Sequence, residues 1–268
     1  MKLVALKRLS LAILVATVCA ALPAYAEEWS KTYNVSGKPN LRIETSDANI
    51  RVTTWDQNTI EAKVITSNYK IGEDGIRVEE RQTGDSVEIE VRYPHHNFNI
   101  GWGQHKVDIV VQMPREGQVN LRTGDGKIDI AGLKGDMDLH SGDGSENLEQ
   151  VDGRLHASTG DGHINANGRF DELELKTGDG HVEVRAAAGS TLAAAWRLET
   201  GDGNVSLEIP GELSADVSLH TSDGHIDLDM PITTEGKIRQ NEVHGKLNGG
   251  GNALTIHTGD GSIHLRKS

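Results

Sequence analysis

Between residues 27 and 268 the apolar positions recur at every second residue, and helical periodicity is absent. The alternation comes in matched pairs of runs around a small polar turn. Leu121 and Val119, Leu139 and Met137, Leu175 and Leu173, Leu198 and Trp196, Leu219 and Val217, and Ile256 and Leu254 lie two and four residues before a Thr or Ser. Five and seven residues after such a Thr lie Ile128 and Ile130, Ile164 and Ala166, Val182 and Val184, Val205 and Leu207, Ile226 and Leu228, and Ile263 and Leu265. Period two is the mark of a half-buried strand, so each unit predicts strand, turn, strand.

The turn itself is Thr-Gly-Asp-Gly at Thr123, Thr159, Thr177, Thr200 and Thr258, with variants starting at Ser141 and Thr221. Successive starts are 18, 18, 18, 23, 21 and 37 residues apart, and the last gap is long enough to hold a degenerate copy. A distant relative, Thr45-Ser46-Asp47-Ala48, is flanked by Leu41, Ile43, Ile50 and Val52. Two all-β architectures fit. Asp-Gly between alternating strands is a hairpin signal, and stacked hairpins would build a sandwich or a propeller-like set of blades. Alternatively the turn is the corner of a β-solenoid, with each strand pairing to its counterpart in the next coil. A third apolar position, at Leu133, Val151 and Phe170, favours the solenoid and suggests coils with three short sides. Eight or so rungs at ~4.8 Å would make a rod roughly 35–40 Å long.

Three segments follow: 1–26, an N-terminal β region over 27–118 that caps or extends the stack, and the repeat over 119–268. In the first, Lys2, Lys7 and Arg8 precede an apolar run from Leu9 to Leu22, and Ala24-Tyr25-Ala26 follows. That order is a secretory signal peptide with cleavage after Ala26. The run is shorter than the ~20 residues of a membrane span. Acylation at Cys19 is disfavoured, because Val18 precedes it within the apolar run. The expected product is exported, to the periplasm, cell surface or medium, and carries no transmembrane segment.

Charge and composition narrow the classes. The full chain carries 40 acidic against 27 basic residues, and signal removal takes three of the basic ones and the single Cys. An acidic chain lacks the basic footprint of a nucleic-acid binder. Without cysteine the product owes nothing to disulfides. The 31 glycines belong largely to the recurring turn, and the 4% aromatics suit a narrow aliphatic core.

Candidate chemistry is sparse. Asp125, Asp143, Asp161, Asp179, Asp202, Asp223 and Asp260 form one series. As turn residues they can accept hydrogen bonds from nearby amides. As a stacked column they are also weak calcium candidates, although the calcium nonapeptide of β-rolls is not matched. His163, His181 and His225 follow the Gly-Asp-Gly or Ser-Asp-Gly, while His140, His220 and His257 precede the turn. Both slots face outward, and no spacing typical of zinc or copper ligation supports a metal site there. No cofactor is expected. The stretch containing Tyr93, His95, His96, Phe98, Trp102 and His105 is the one cluster of aromatics and histidines. It interrupts the strand pattern and is a candidate contact loop, since loops on rigid scaffolds carry much binding function.

Four marks together carry a resemblance: the repeated Thr-Gly-Asp-Gly-x-Ile-x-Leu, the early run Leu41 to Asp56, the run Val107 to Pro114, and Lys246-Leu-Asn-Gly-Gly-Gly251. The chain resembles the bacterial "putative adhesin" β-strand-repeat domains of unknown function, which look related to auto-transporter adhesin heads. The resemblance covers about 30 to 268 and implies a single-stranded right-handed β-helix, with coils of about 18–22 residues. It carries over no catalytic residue. The expected function is a secreted, non-enzymatic, adhesin-like binding or scaffold module whose partner is an envelope protein or a cell-surface glycan. The alternative is a polysaccharide-active β-helix lyase or hydrolase, for which the chain offers no unique acid/base pair.

Overall fold

A computed structural model describes residues 26–94, 106–234 and 239–268. They form 21 strands, and no helix occurs among the described residues. Residues 1–25 of the predicted signal segment and the histidines and aromatics between 95 and 105 lie outside the described residues.

The two arms of a unit do not pair with each other, so the stacked-hairpin alternative is not adopted. Each arm pairs in parallel with its counterpart: Lys134 with Glu116 on one side and Asp152 on the other, and Glu146 with Ile128 and Ile164. A step of 18 residues in sequence is therefore one step along the stack. Arms preceding the turn make one ladder and arms following it make a second. The fold is a solenoid-like β-repeat.

Each coil has two hydrogen-bonded arms rather than the three sides expected. The third apolar position, Leu133, Val151 or Phe170, is fully buried at the bend between one coil and the next. The strands Glu146–Thr159 and Ile164–Thr177 run through that bend, with register shifts near Gln150 and Gly153. Glycine is required here for a physical reason. A Cβ on Gly135 would meet the Gly117 carbonyl oxygen at 1.9 Å, and Gly135 and Gly153 have φ of 143° and 129°.

Stacking order differs from chain order at both ends. Following hydrogen-bonded neighbours, the rungs are 86–92 with 106–114, then 40–55, 116–131, 134–149, 152–168, 173–186, 196–209, 253–267 and 215–229. The early unit with Thr45 slots in as the second rung, and the final unit inserts beneath the one before it. Among the described residues of the 37-residue gap no degenerate copy stacks into the ladders. Thr233–Thr234 and Glu242–Leu247 lie within it and form an antiparallel edge against Ala215–Thr221. At the other end Arg77–Thr83 runs antiparallel to Ser86–Arg92, and Thr59–Ser67 and Ala26–Asn34 cover Lys106–Pro114 in the same manner.

The interior is one continuous aliphatic column with few rings. Tyr33, Phe170 and Trp196 are its fully buried aromatics, and Phe170 meets Trp196 edge-on at 6.4 Å. The 23-residue unit makes room for that pair. Its extra loop returns Ser190, whose Oγ accepts the Phe170 amide at 3.1 Å.

Candidate functional site

The Thr-Gly-Asp-Gly turns stack into one edge of the rod, and threonine organises it. Thr159 Oγ1 donates to the Gly144 carbonyl of the preceding rung at 2.9 Å and accepts the Gly162 amide of its own turn at 3.3 Å. Thr177, Thr200 and Thr258 repeat both bonds, and Ser141 does so with Gly126 and Gly144. These hydroxyls are buried. Amides of the first turn glycine and the Asp donate to the preceding turn, as Gly142 and Asp143 do to the Gly124 carbonyl. With carbonyls and threonine hydroxyls taking up the turn amides, all seven Asp side chains stand exposed to solvent. Sequence inspection missed the threonine role. The signal was there, in a hydroxyl residue recurring at an inward parity.

Asp47 heads the carboxylate column. Burial and then the charge of Asp125 raise its pKa above the usual carboxylate value. Among the described residues no group of three or more His, Cys, Asp or Glu is arranged to hold a metal ion.

The slot after the turn has a structural task. His181 donates its backbone N–H to His163 Nδ1 at 2.9 Å, and Asn204 does the same to His181 Nδ1 at 2.9 Å. Ser262 N–H donates to Asn204 Oδ1, and Lys127 N–H to Asn49 Oδ1. At Asn49, Ser145, His163, His181 and Asn204 the slot side chain thus receives the amide of the next rung, a task that requires an acceptor. The rings of His163 and His181 stack at 5.0 Å, and those of His220 and His257 at 5.3 Å.

One row superficially resembles a hydrolase constellation. His225 Nδ1 lies 3.0 Å from Ser262 Oγ, and its Nε2 lies 3.2 Å from Asp227 Oδ2, which also meets His264 Nδ1 at 3.1 Å. Acyl transfer needs free donors for an oxyanion beside the nucleophile. The nearby amides of Gly259, Asp260, Gly261 and Ser262 are already committed to Gly201, Thr258 and Asn204.

A recess lies on the outer face of the first ladder. It is an open groove of about 370 Å³ crossing five rungs, lined by Asn40, Gln118, Asn120, Asp136, Arg154 and His156 among others. Arg154 grips Asp136 through Nε at 2.7 Å and Nη2 at 2.8 Å, and Gln118 donates to the same carboxylate at 2.9 Å. Those bonds hold the Asp136 carboxyl below the ordinary range. His156 Nε2 lies 3.3 Å from Glu172. No sequence motif marked this groove, because its residues are spread over rungs from 40 to 172 and meet only through parallel pairing.

Of the candidate contact loop, Tyr93 is described and His95, His96, Phe98, Trp102 and His105 are not. Tyr93 donates its hydroxyl to the Asp47 carbonyl and packs edge-on against Tyr69.

No helix among the described residues is long and apolar enough to cross a membrane. No curated protein matches the sequence. Solved structures with a similar fold include a putative adhesin from Bacteroides fragilis NCTC 9343, 11% identical, covering 90% of this chain and 97% of that one with a TM-score of 0.50. A putative cell adhesion protein from Clostridium sporogenes ATCC 15579 is 14% identical over 91% of this chain and 100% of its own, with a TM-score of 0.45. A putative lipid binding protein from Parabacteroides distasonis ATCC 8503 is 12% identical over 90% and 98%, with a TM-score of 0.44. Identities at this level speak to fold alone. The family model described as Toastrack DUF4097 matches twice, over residues 39–194 and 116–266, so that the two matches overlap on the central rungs. Together they span the whole stack of turn-bearing units, and the chain belongs to the Toastrack DUF4097 family.

Proposed function

We propose that the protein is an exported, non-enzymatic binding or scaffold module of the bacterial envelope, without a resident cofactor, whose partner is an envelope protein or a surface glycan. The observation that carries this reading is the groove over Asn40, Gln118, Asp136 and Arg154, open to solvent and laid across five parallel rungs. Side chains repeating at the ~4.8 Å strand spacing offer an extended, rigid set of donors and acceptors. Such a surface suits an extended polar partner better than a small substrate, which is held in an enclosed pocket. Export is supported by the signal pattern of residues 1–26, and kinship with auto-transporter adhesin heads by the repeated turn. We read the coil as right-handed, the hand taken by parallel crossovers in nearly all sheets.

The test is a binding screen of the mature protein against envelope extracts and a panel of acidic and neutral glycans. Arg154→Ala and Asn120→Ala, in the groove, are compared with Arg51→Ala on the other ladder. Loss of binding confined to the groove variants is the expected result. Equal retention in all three removes the groove from the reading, and release of reducing ends or unsaturated sugars from any glycan overturns the non-enzymatic part.

A further inference from the structure

In seven of the eight turn-bearing units the residue five positions after the turn Thr is Ile or Val, as at Thr45 and Ile50 or Thr177 and Val182. The exception is double: Ser141 replaces the Thr, and Glu146 replaces the Ile. Glu146 points inward like its counterparts and is completely buried, between Ile128 on one side and Ile164 on the other. A serine lacks the methyl that Thr presents elsewhere in the column, so the two exceptions are complementary in volume.

Neither Glu146 oxygen has a hydrogen-bond partner. The Ser141 hydroxyl is committed to the Gly126 carbonyl and the Gly144 amide. The Ser141 backbone lies near enough to favour the ionised form, yet not in hydrogen-bonding geometry, and Asp138 on the outer side of the rung opposes that form. The neighbouring arms present Ile128 and Ile164, so no cation offsets the charge from above or below. An isolated carboxylate in such surroundings is strongly disfavoured, and the group stays protonated instead.

We propose that the Ser141–Glu146 rung is a pH-sensitive joint, uncharged and closed in acid, which opens locally when the Glu146 carboxyl loses its proton as the pH rises above neutrality. Burial, the largest influence, pushes this carboxyl from its ordinary 4.5 up to about 8. Ionised, it must reach water, and the turn joining it to Ser141 carries the exposed Asp143. The rungs on either side remain zipped, because their counterparts at this position are aliphatic. The joint lies on the rung that contributes Asp136 and Asp138 to the groove, so its opening would loosen one wall of that surface.

The experiment compares the full mature protein with Glu146→Gln, and with a Glu146→Ile, Ser141→Thr double variant that rebuilds the pattern of the other rungs. Carboxyl ¹³C resonances are titrated, and amide hydrogen exchange is measured at pH 5, 7 and 9. The expected result is a carboxyl signal, missing in Glu146→Gln, that titrates above neutrality. Amides of residues 141–149 should exchange ~10-fold or more faster in the wild type than in either variant at pH 9, and equally at pH 5, with residues 205–209 unaffected. A midpoint in the ordinary glutamate range, a ratio that does not change with pH, or a change spread uniformly over the rod would each overturn the proposal.

Discussion

At the end of the stack that begins with residues 86–92 and 106–114, both ladders finish under antiparallel strands. Arg77–Thr83 closes one, and Thr59–Ser67 followed by Ala26–Asn34 closes the other. Polar side chains tie these caps together: Lys31 bonds Glu80, and Gln82 donates to the Asn34 carbonyl at 2.7 Å. At the opposite end, among the described residues, only the first ladder is covered by a strand, Glu242–Leu247, while the Ile226 amide of the second bonds the Gln240 carbonyl. The second ladder ends on Ile226–Asp229, whose sole ladder partner among the described residues is Ile263–Lys267. Ile226 and Leu228 there are half-buried, whereas the equivalent Ile263 and Leu265 are buried completely. A repeat stack cannot end on another identical rung without exposing the same apolar edge again, so a reversed strand or a loss of burial must follow. The molecule does the first at one end and part of the second at the other.

The sharpest way to break this comparison is to truncate an equivalent contact at each end. Ile60→Ala, within the closed cap, should cost ~2–5 kcal/mol, and Leu228→Ala, at the half-covered rung, less than ~1 kcal/mol. Chemical denaturation measures both, and equal losses would mean the ends are equally covered. Between the ends, Glu146→Ile should stabilise the protein by ~2–4 kcal/mol at pH 8. The carboxyl titrates near 4.5 when unfolded and about 8 when folded. Its contribution is therefore whole below 4.5 and is lost as pH rises through 8. The gain from the variant should shrink toward pH 4 to the cost of burying the unpartnered neutral carboxyl, and a gain independent of pH would sink the assignment.

A smaller contrast concerns the turn hydroxyls. Thr177 both donates to Gly162 and accepts from Gly180, while Thr221 on the last rung bonds carbonyls at Gly259 and Gly261. Thr177→Val should cost ~1–2 kcal/mol, because it strands a buried amide, and Thr221→Val about half as much. Thermal melts that rank them in reverse would show that the last rung is as tightly knit as the middle. Least of all, Glu80→Gln removes a partly exposed ion pair with Lys31 and should change stability by no more than ~0.5–1 kcal/mol. A larger loss would make that bridge a principal part of the closed cap.

The strands and turns were legible because their causes are local. Period two at Leu139 and Met137 or Val182 and Val184 states which side chains face inward, and Asp-Gly states where the chain bends. The threonine edge was within reach of the same logic. Its inward parity is visible in the sequence, but Asp and Gly beside it are sufficient by themselves to account for a turn. The groove was illegible, since Asn40, Gln118, Asp136 and Arg154 are joined by register between distant segments. The three-sided coil was overread: Leu133 and Val151 are inward as expected, but they plug a bend instead of forming a side.

The sequence by itself determined the unit, its polarity, and the residue types at every inward position, because each depends on neighbours within a few residues. Tertiary structure alone decided the order of the rungs and the identity of the ends. Every unit presents nearly the same two edges, so residues 40–55 or 253–267 pair acceptably with several neighbours as far as local chemistry is concerned. Which pairing prevails depends on closing long loops and covering the last apolar edge, and both are properties of the whole stack.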